Sequence, residues 1–227
     1  MTGFIVINKP KGITSHDVVN KVRQLASEKR VGHGGTLDPM ATGILVIGIG
    51  REATKHLGKF SENTEKTYQA IIRLGATSET DDAEGMITES ELVTPPKKSD
   101  VTQALKKFKG SIKQAPPTYS AAKVSGVESY KLARQGTVVN LGTHQVEINS
   151  LHIEKYVWPR LSIEVECSSG TYIRALARDI GEELKTGGYL EELVRTKVGK
   201  ITLDQSIGLD DFSEKKIIPI DKLDTLI

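Results

Sequence analysis

Residues 31–43 read VGHGGTLDPMATG, which places His33 and Asp38 five positions apart among glycines. Pro39 pushes Asp38 toward an extended backbone, so its side chain leaves a turn rather than a helix. Such an aspartate either caps nearby backbone N–H groups or presents a reactive carboxylate. Gly32, Gly34 and Gly35 favour the second reading, because a backbone or a ligand can approach them closely. His33 is a surface or structural imidazole, a general base, or a flat stacking partner for a nucleobase. Tyr68 lies in an alternating segment, where a tyrosine is a core aromatic with a polar tip. Arg174 falls in the first turn of the helix that follows SSG, where the helix dipole disfavours a cation. It is either a plain surface arginine or one that requires a carboxylate or phosphate partner outside its helix.

Other chemistries find no support. G-x-x-x-x-G-K-[ST] and G-x-G-x-x-G are both absent, so neither a phosphate loop nor a dinucleotide fingerprint is expected. The histidines form no His-Glu-x-x-His pair, and Cys167 is the single cysteine, so neither a zinc site nor a disulfide framework is expected. No apolar run approaches a membrane span, and MTGFIVINKP is not a signal sequence, so the expected compartment is the cytoplasm. The 227 residues carry a net charge of +2, so any basic surface must be local.

The elements that would position these residues follow from periodicity. FIVIN (4–8) and GILVIGIG (43–50) read as buried strands. Ser15 is expected to cap a helix carrying Val18, Val19, Val22, Leu25 and Ala26 on one face, and REATKHLGKF (51–60) a short helix. KTYQAIIRL (66–74) alternates, with Tyr68, Ala70, Ile72 and Leu74 on one side. Residues 79–91 hold six acids and no base, which predicts a solvated loop. Residues 97–123 hold seven lysines and one acid, Asp100: a solvated helix face, or a surface for phosphates. LSIEVEC (161–167) reads as a strand, and the helix after SSG has Ile173, Leu176, Ala177, Ile180 and Leu184 as its buried stripe, with Arg174 outside it. A short helix over 189–195 and a strand over 197–203 complete an α+β domain.

Taken together, these segments carry a resemblance. GHGGTLDPMATG resembles the active-site motif of the TruB-type tRNA pseudouridine synthases. INKPKG (7–12), EKTYQAIIRLGATSETDDAEG (65–85), QAPPTYSAAKVSG (114–126), SSGTYIRALARDIG (168–181) and LVRTKVG (193–199) are similar to further blocks of that family, in the same order. The resemblance covers essentially the whole chain. It implies the pseudouridine-synthase α+β fold: a mixed, mainly antiparallel central sheet flanked by helices, with an active-site cleft across its middle. A single catalytic domain over 1–227 is expected, with an RNA-gripping insertion over about 97–150 and no C-terminal domain of the PUA type.

The activity implied is the isomerisation of uridine 55 in the T-loop of tRNA to pseudouridine, without cofactor or metal. By the motif match, Asp38 is the catalytic carboxylate, Tyr68 stacks on the uracil, and Arg174 pairs with Asp38. The uridine must be flipped out of its loop, and His33 would fill the vacated place. Leu193 matches an apolar residue of the pocket, Lys9 a residue that supports the Tyr68 region, and Lys123 ends the stretch expected to grip RNA. Val194 stands where relatives commonly have an arginine, which is expected to remove one phosphate or carboxylate contact. The expected partner is tRNA, with no membrane, no protein partner, and a monomer. Two other classes remain: a tRNA-binding module without chemistry, and an enzyme of free nucleosides or sugar phosphates, which needs no basic gripping surface.

Overall fold

The structure, a computed structural model, describes residues 2–62, 64–91, 94–120, 123–124, 126–135 and 141–227, with the backbone alone at 123, 124, 128, 130 and 134. Strand β1 (Gly3–Lys9) leads into helix α1 (Ser15–Leu25), then β2 (Val31–Gly34) and β3 (Thr42–Ile49). Helices α2 (Arg51–Lys55) and α3 (Leu57–Glu62) precede β4 (Lys66–Leu74) and the short strands β5 (Ala76–Ser78) and β6 (Ile87–Glu89). Next come α4 (Lys98–Lys106), β7 (Gly110–Gln114), β8 (Lys123–Val124), β9 (Val127–Glu128) and α5 (Ser129–Arg134). The chain continues through β10 (His144–Val157), β11 (Arg160–Cys167), α6 (Ile173–Glu183), β12 (Gly188–Val198) and β13 (Ile201–Thr202), and closes in four 3₁₀ turns between Leu203 and Thr225.

The chain divides into two compact units: Met1–Gln69 with Ser168–Gly170 and Leu193–Ile227, and Ala70–Cys167 with Thr171–Glu192. In the first unit β1 runs antiparallel to β3, from Gly3 opposite Ile49 to Lys9 opposite Gly43. The other edge of β3 is shared: β2 pairs antiparallel with Val46–Ile49, and β12 runs parallel at Thr42 and Gly43. The continuous apolar runs of β1 and β3 have a plain cause, since both faces are covered. Phe4, Val6, Ile44 and Val46 pack on Ala53, Leu57 and Phe60 of α2 and α3 and on Leu223 and Leu226 of the last turn. Ile5, Ile7, Leu45, Ile47 and Ile49 pack on Val18, Val19, Val22 and Ala26 of α1 and the segment just after it. Each such side chain contributes roughly 1.5–3 kcal/mol through the water it leaves.

In the second unit β10 is antiparallel to both β7 and β11. Helix α6 buries Ile173, Leu176, Ala177 and Ile180, as its periodicity predicts, whereas Leu184, the fifth residue of the expected stripe, follows the last helical residue and is half-buried. Helix α4 buries Val101, Ala104 and Leu105 and leaves its lysines in solvent.

Several expectations need correction. The cap of α1 is Thr14, whose side chain accepts from the Asp17 N–H at 3.0 Å while Asp17 accepts from the Thr14 N–H at 2.9 Å. Ser15 turns inward instead, and Leu25 is largely exposed. Residues 189–195 form no helix but the body of β12. Leu and Glu favour helix there only weakly, and sheet neighbours outweigh that preference. The 79–91 segment is not wholly solvated: β5 and β6 pair across it, and Asp82 is buried. Arg174 is also buried, although it lies off the apolar stripe.

Candidate active site

Asp38 lies half-buried on the loop between β2 and β3. The backbone on both sides of it is tied to the segment that joins β1 to α1. On the N-terminal side, the Ser15 hydroxyl donates to the Leu37 carbonyl at 2.8 Å and accepts from the Leu37 N–H at 2.8 Å. On the C-terminal side, the Pro39 carbonyl accepts from the Gly12 N–H at 2.8 Å and from Lys9 Nζ at 3.2 Å. Lys9 is fully buried, and its ammonium also donates to the carbonyls of Pro10 and Ile13. The Ala41 N–H closes the turn on the Asp38 carbonyl at 3.1 Å. The carboxylate is therefore carried on a backbone with little freedom, the condition for holding a reacting group in one geometry.

His33 lies on β2 opposite Ile47. Its neighbour Gly34 gives room to α3, since a Cβ there would meet the Phe60 Cβ at 2.8 Å. The His33 Nδ1 is buried and has no hydrogen-bond partner among the described residues. Burial first, then the charges of Arg195 and His16, push the imidazole below its ordinary pKa. A neutral ring with an unused nitrogen results at neutral pH. Tyr68 is buried on β4 on the same face as Lys66, as the alternation predicts.

Two buried cations of this unit escape sequence reasoning. Arg195 on β12 donates from Nε to the Ile44 carbonyl at 2.7 Å and from Nη2 to the Gly35 carbonyl at 3.0 Å, which ties β12 to the glycine-rich loop. Lys66 donates to the carbonyls of Ser61 and Thr64 and to Ser169 Oγ. Alternation places both side chains inward, but nothing in the chain signals that backbone carbonyls will receive them. Leu193, buried on β12, offers its carbonyl to Thr42 Oγ1 at 3.5 Å. Val194 pairs with Thr42 in the parallel register.

Arg174 belongs to the second unit. It forms an ion pair with Asp82, Nη1 to Oδ2 at 3.3 Å, both side chains being more than nine-tenths buried. It also donates to the carbonyls of Thr80 and Tyr119 at 3.1 and 3.0 Å. One turn later Arg178 pairs with Asp81 at 2.7 Å and donates to the Ala115 carbonyl at 3.0 Å. Burial pushes the Asp81 carboxyl above its ordinary pKa, against the pull of both arginines. The cation at the start of α6 thus has a carboxylate in the acidic turn, a partner the sequence offered no reason to single out. Lys123 begins β8, which pairs with β9, and its side chain lies outside the described residues. Of the seven candidate residues, Lys9, His33, Asp38, Tyr68 and Leu193 fall in the first unit, and Lys123 and Arg174 in the second.

The fold is that of the pseudouridine synthases. A Cbf5–Nop10–Gar1 complex contains a chain similar to this one with a TM-score of 0.75 and 26% identity, over 97% of this chain and 60% of that one. An H/ACA ribonucleoprotein bound to a substrate RNA containing 2′-deoxyuridine shows the same fold, with a TM-score of 0.69 and 24% identity over 92% of this chain and 51% of that one. The family model for the N-terminal domain of TruB family pseudouridylate synthases matches residues 23–173, and that for the C-terminal domain of tRNA pseudouridylate synthase B matches residues 174–226. The tRNA pseudouridine synthase B of Mycobacterium bovis (strain BCG / Pasteur 1173P2) is 45% identical over 222 residues, 96% of this chain and 74% of that protein. That of Mycolicibacterium paratuberculosis (strain ATCC BAA-968 / K-10) is 45% identical over 216 residues, 93% and 73% of the two. The chain belongs to the TruB family of pseudouridylate synthases, and it is an isomerase.

Proposed function

We propose that this tRNA pseudouridine synthase acts on uridine 55 of the T-loop and that Asp38 is its catalytic carboxylate. The observation that carries the reading is the Asp38 loop, in which the residues before and after the carboxylate are both tied to the Lys9–Ser15 segment. The reaction breaks the N1–C1′ bond, turns the uracil, joins C5 to C1′, loses the proton from C5 and gains one at N1, so atoms and electrons balance without a cofactor. An electron-poor C1′ is what a carboxylate can stabilise or attack. The uridine is flipped out of the T-loop to reach it. The neutral ring of His33 stacks in the place the base leaves. Tyr68 stacks on the uracil and assists loss of the C5 proton, and Leu193 lines its pocket. Arg174 is the partner that keeps Asp38 ionised. Lys9, with three carbonyls on its ammonium, positions the loop rather than reacting. Lys123 and the lysines before it contact phosphates. Both units belong to one catalytic domain, and the enzyme is monomeric and cytoplasmic.

The test is tritium release from a tRNA transcript labelled at uridine C5. Wild type is expected to release the label of one uridine per tRNA, and none from that position when U55 is replaced by cytidine. Asp38→Asn is expected to bind the same tRNA but to lose rate by roughly four orders of magnitude or more, the scale of removing a nucleophile. Binding by a folded wild type without release would point instead to a tRNA-binding module.

A further inference from the structure

We infer that Ser15 is a positioning residue of the reaction, acting on Asp38 through the backbone of Leu37. The inference rests on the reading of Asp38 as the catalytic carboxylate. Ser15 is the first residue of α1, yet its hydroxyl does not cap the helix, a role that Thr14 and Asp17 fill. It is buried, with 2% of its surface exposed. One hydroxyl both donates to the Leu37 carbonyl and accepts from the Leu37 N–H, across 22 residues of sequence. Those two groups belong to the peptide planes on either side of the Leu37 Cα, and the second plane carries the Asp38 nitrogen. Leu37 lies beyond the end of β2, so no strand ladder holds it there. Its side chain is itself buried.

Lys9 and Gly12 hold the second plane after Asp38, at the Pro39 carbonyl, and the plane between accepts from the Ala41 N–H at the Asp38 carbonyl. They leave the planes before Asp38 to Ser15. Without the hydroxyl, Leu37 loses the buried partner of both its polar groups, and the loop must turn to find another. A shift of about 1 Å in a reacting group costs on the order of 100-fold in rate. Ser15 touches no reacting atom; its effect reaches the substrate only through where Asp38 stands.

The experiment compares wild type, Ser15→Ala, Ser15→Thr and Asp38→Asn by tritium release from C5-labelled tRNA under single-turnover conditions with enzyme in excess. At saturation the rate constant does not depend on the fraction of enzyme folded, so general destabilisation alone leaves it unmoved. Ser15→Ala is expected to lower that rate constant by roughly 10- to 100-fold with tRNA affinity held within about twofold, and Ser15→Thr, which keeps the hydroxyl, to recover most of it. A Ser15→Ala rate constant equal to wild type overturns the inference, as does an equal loss in both Ser15 variants. Asp38→Asn separates the two readings: if it turns over at the wild-type rate, Asp38 is not the catalytic carboxylate and the premise fails, whatever Ser15 does.

Discussion

At the scale of the residue, the candidate site is a set of buried polar groups whose partners are mostly backbone. His33 makes the point testable. Its pKa is lowered, chiefly by burial, so the folded protein holds the proton less tightly than the unfolded chain. Between the ordinary imidazole value of about 6.5 and the lowered one, the unfolded state binds more protons. Stability therefore falls as pH drops through that window and is untouched by this group above it. Urea unfolding of wild type at pH 7.5 and 5.5 is expected to show this loss, and His33→Gln to remove part of it. Identical pH dependence in the two proteins would show that His33 titrates alike in both states. Asp38 and Arg174 stood out in the sequence, because Asp-Pro after glycines and an arginine at a helix start are local oddities. Ser15, Lys66 and Arg195 did not stand out: Ser15 and Arg195 bond carbonyls brought near by the fold, and Lys66 turns back onto the Ser61 and Thr64 carbonyls, which no local pattern marks. A serine before an apolar helix reads as a cap whichever way its hydroxyl turns.

At the scale of the element, β12 shows where local reading fails. YLEELVR satisfies a helical pattern, yet Gly43 and Arg195 stand side by side in a parallel pairing that only the fold creates. Gly43 has φ +102°, and a Cβ there would lie 2.3 Å from the Arg195 carbonyl oxygen and 2.7 Å from its nitrogen. Both obstacles are backbone, so neither can swing away. Gly43→Ala is expected to cost about 3 kcal/mol or more, from strained φ and forced separation of the strands. Urea denaturation measures it, and a loss below about 1 kcal/mol would mean that β12 shifts freely. Elements with an unbroken period were legible: β1, β3, β4, β11 and the buried stripe of α6 fall where the sequence puts them. Strand β10 was missed for a physical reason. Its pairing with β11 shifts register between Ile148 and Ser150 and again between Ile153 and Lys155. Val146 and Ile148 keep the period of two, Leu151 breaks it, and a strand of 14 residues hides behind two irregularities.

At the scale of the whole molecule, a net charge of +2 gives no general attraction for a polyanion, so tRNA must be held by local charge. The stretch from α4 to β7 supplies it. Asp100 is spent on the N-terminus of α4, where it accepts from the Lys97 N–H, and Lys107 is paired with Glu183 at 2.6 Å. Lys98, Lys106, Lys109 and Lys113 are exposed on the same stretch. If they neutralise phosphates, removing one such lysine reduces the slope of log K against log salt by roughly 0.7–0.9. Replacing Lys98, Lys106 and Lys109 together by Ala is then expected to flatten that slope by about 2–3 and to weaken binding at low salt, whatever the tRNA sequence. The single-turnover rate constant at saturating enzyme is expected to remain that of wild type, because contacts to phosphates position the RNA without entering the chemical step. Salt titration of tRNA binding by filter retention or fluorescence decides it. An unchanged slope would make these lysines the solvated face of a helix, with the RNA held elsewhere. A diminished rate constant at unchanged slope would assign them to the chemistry rather than to the grip.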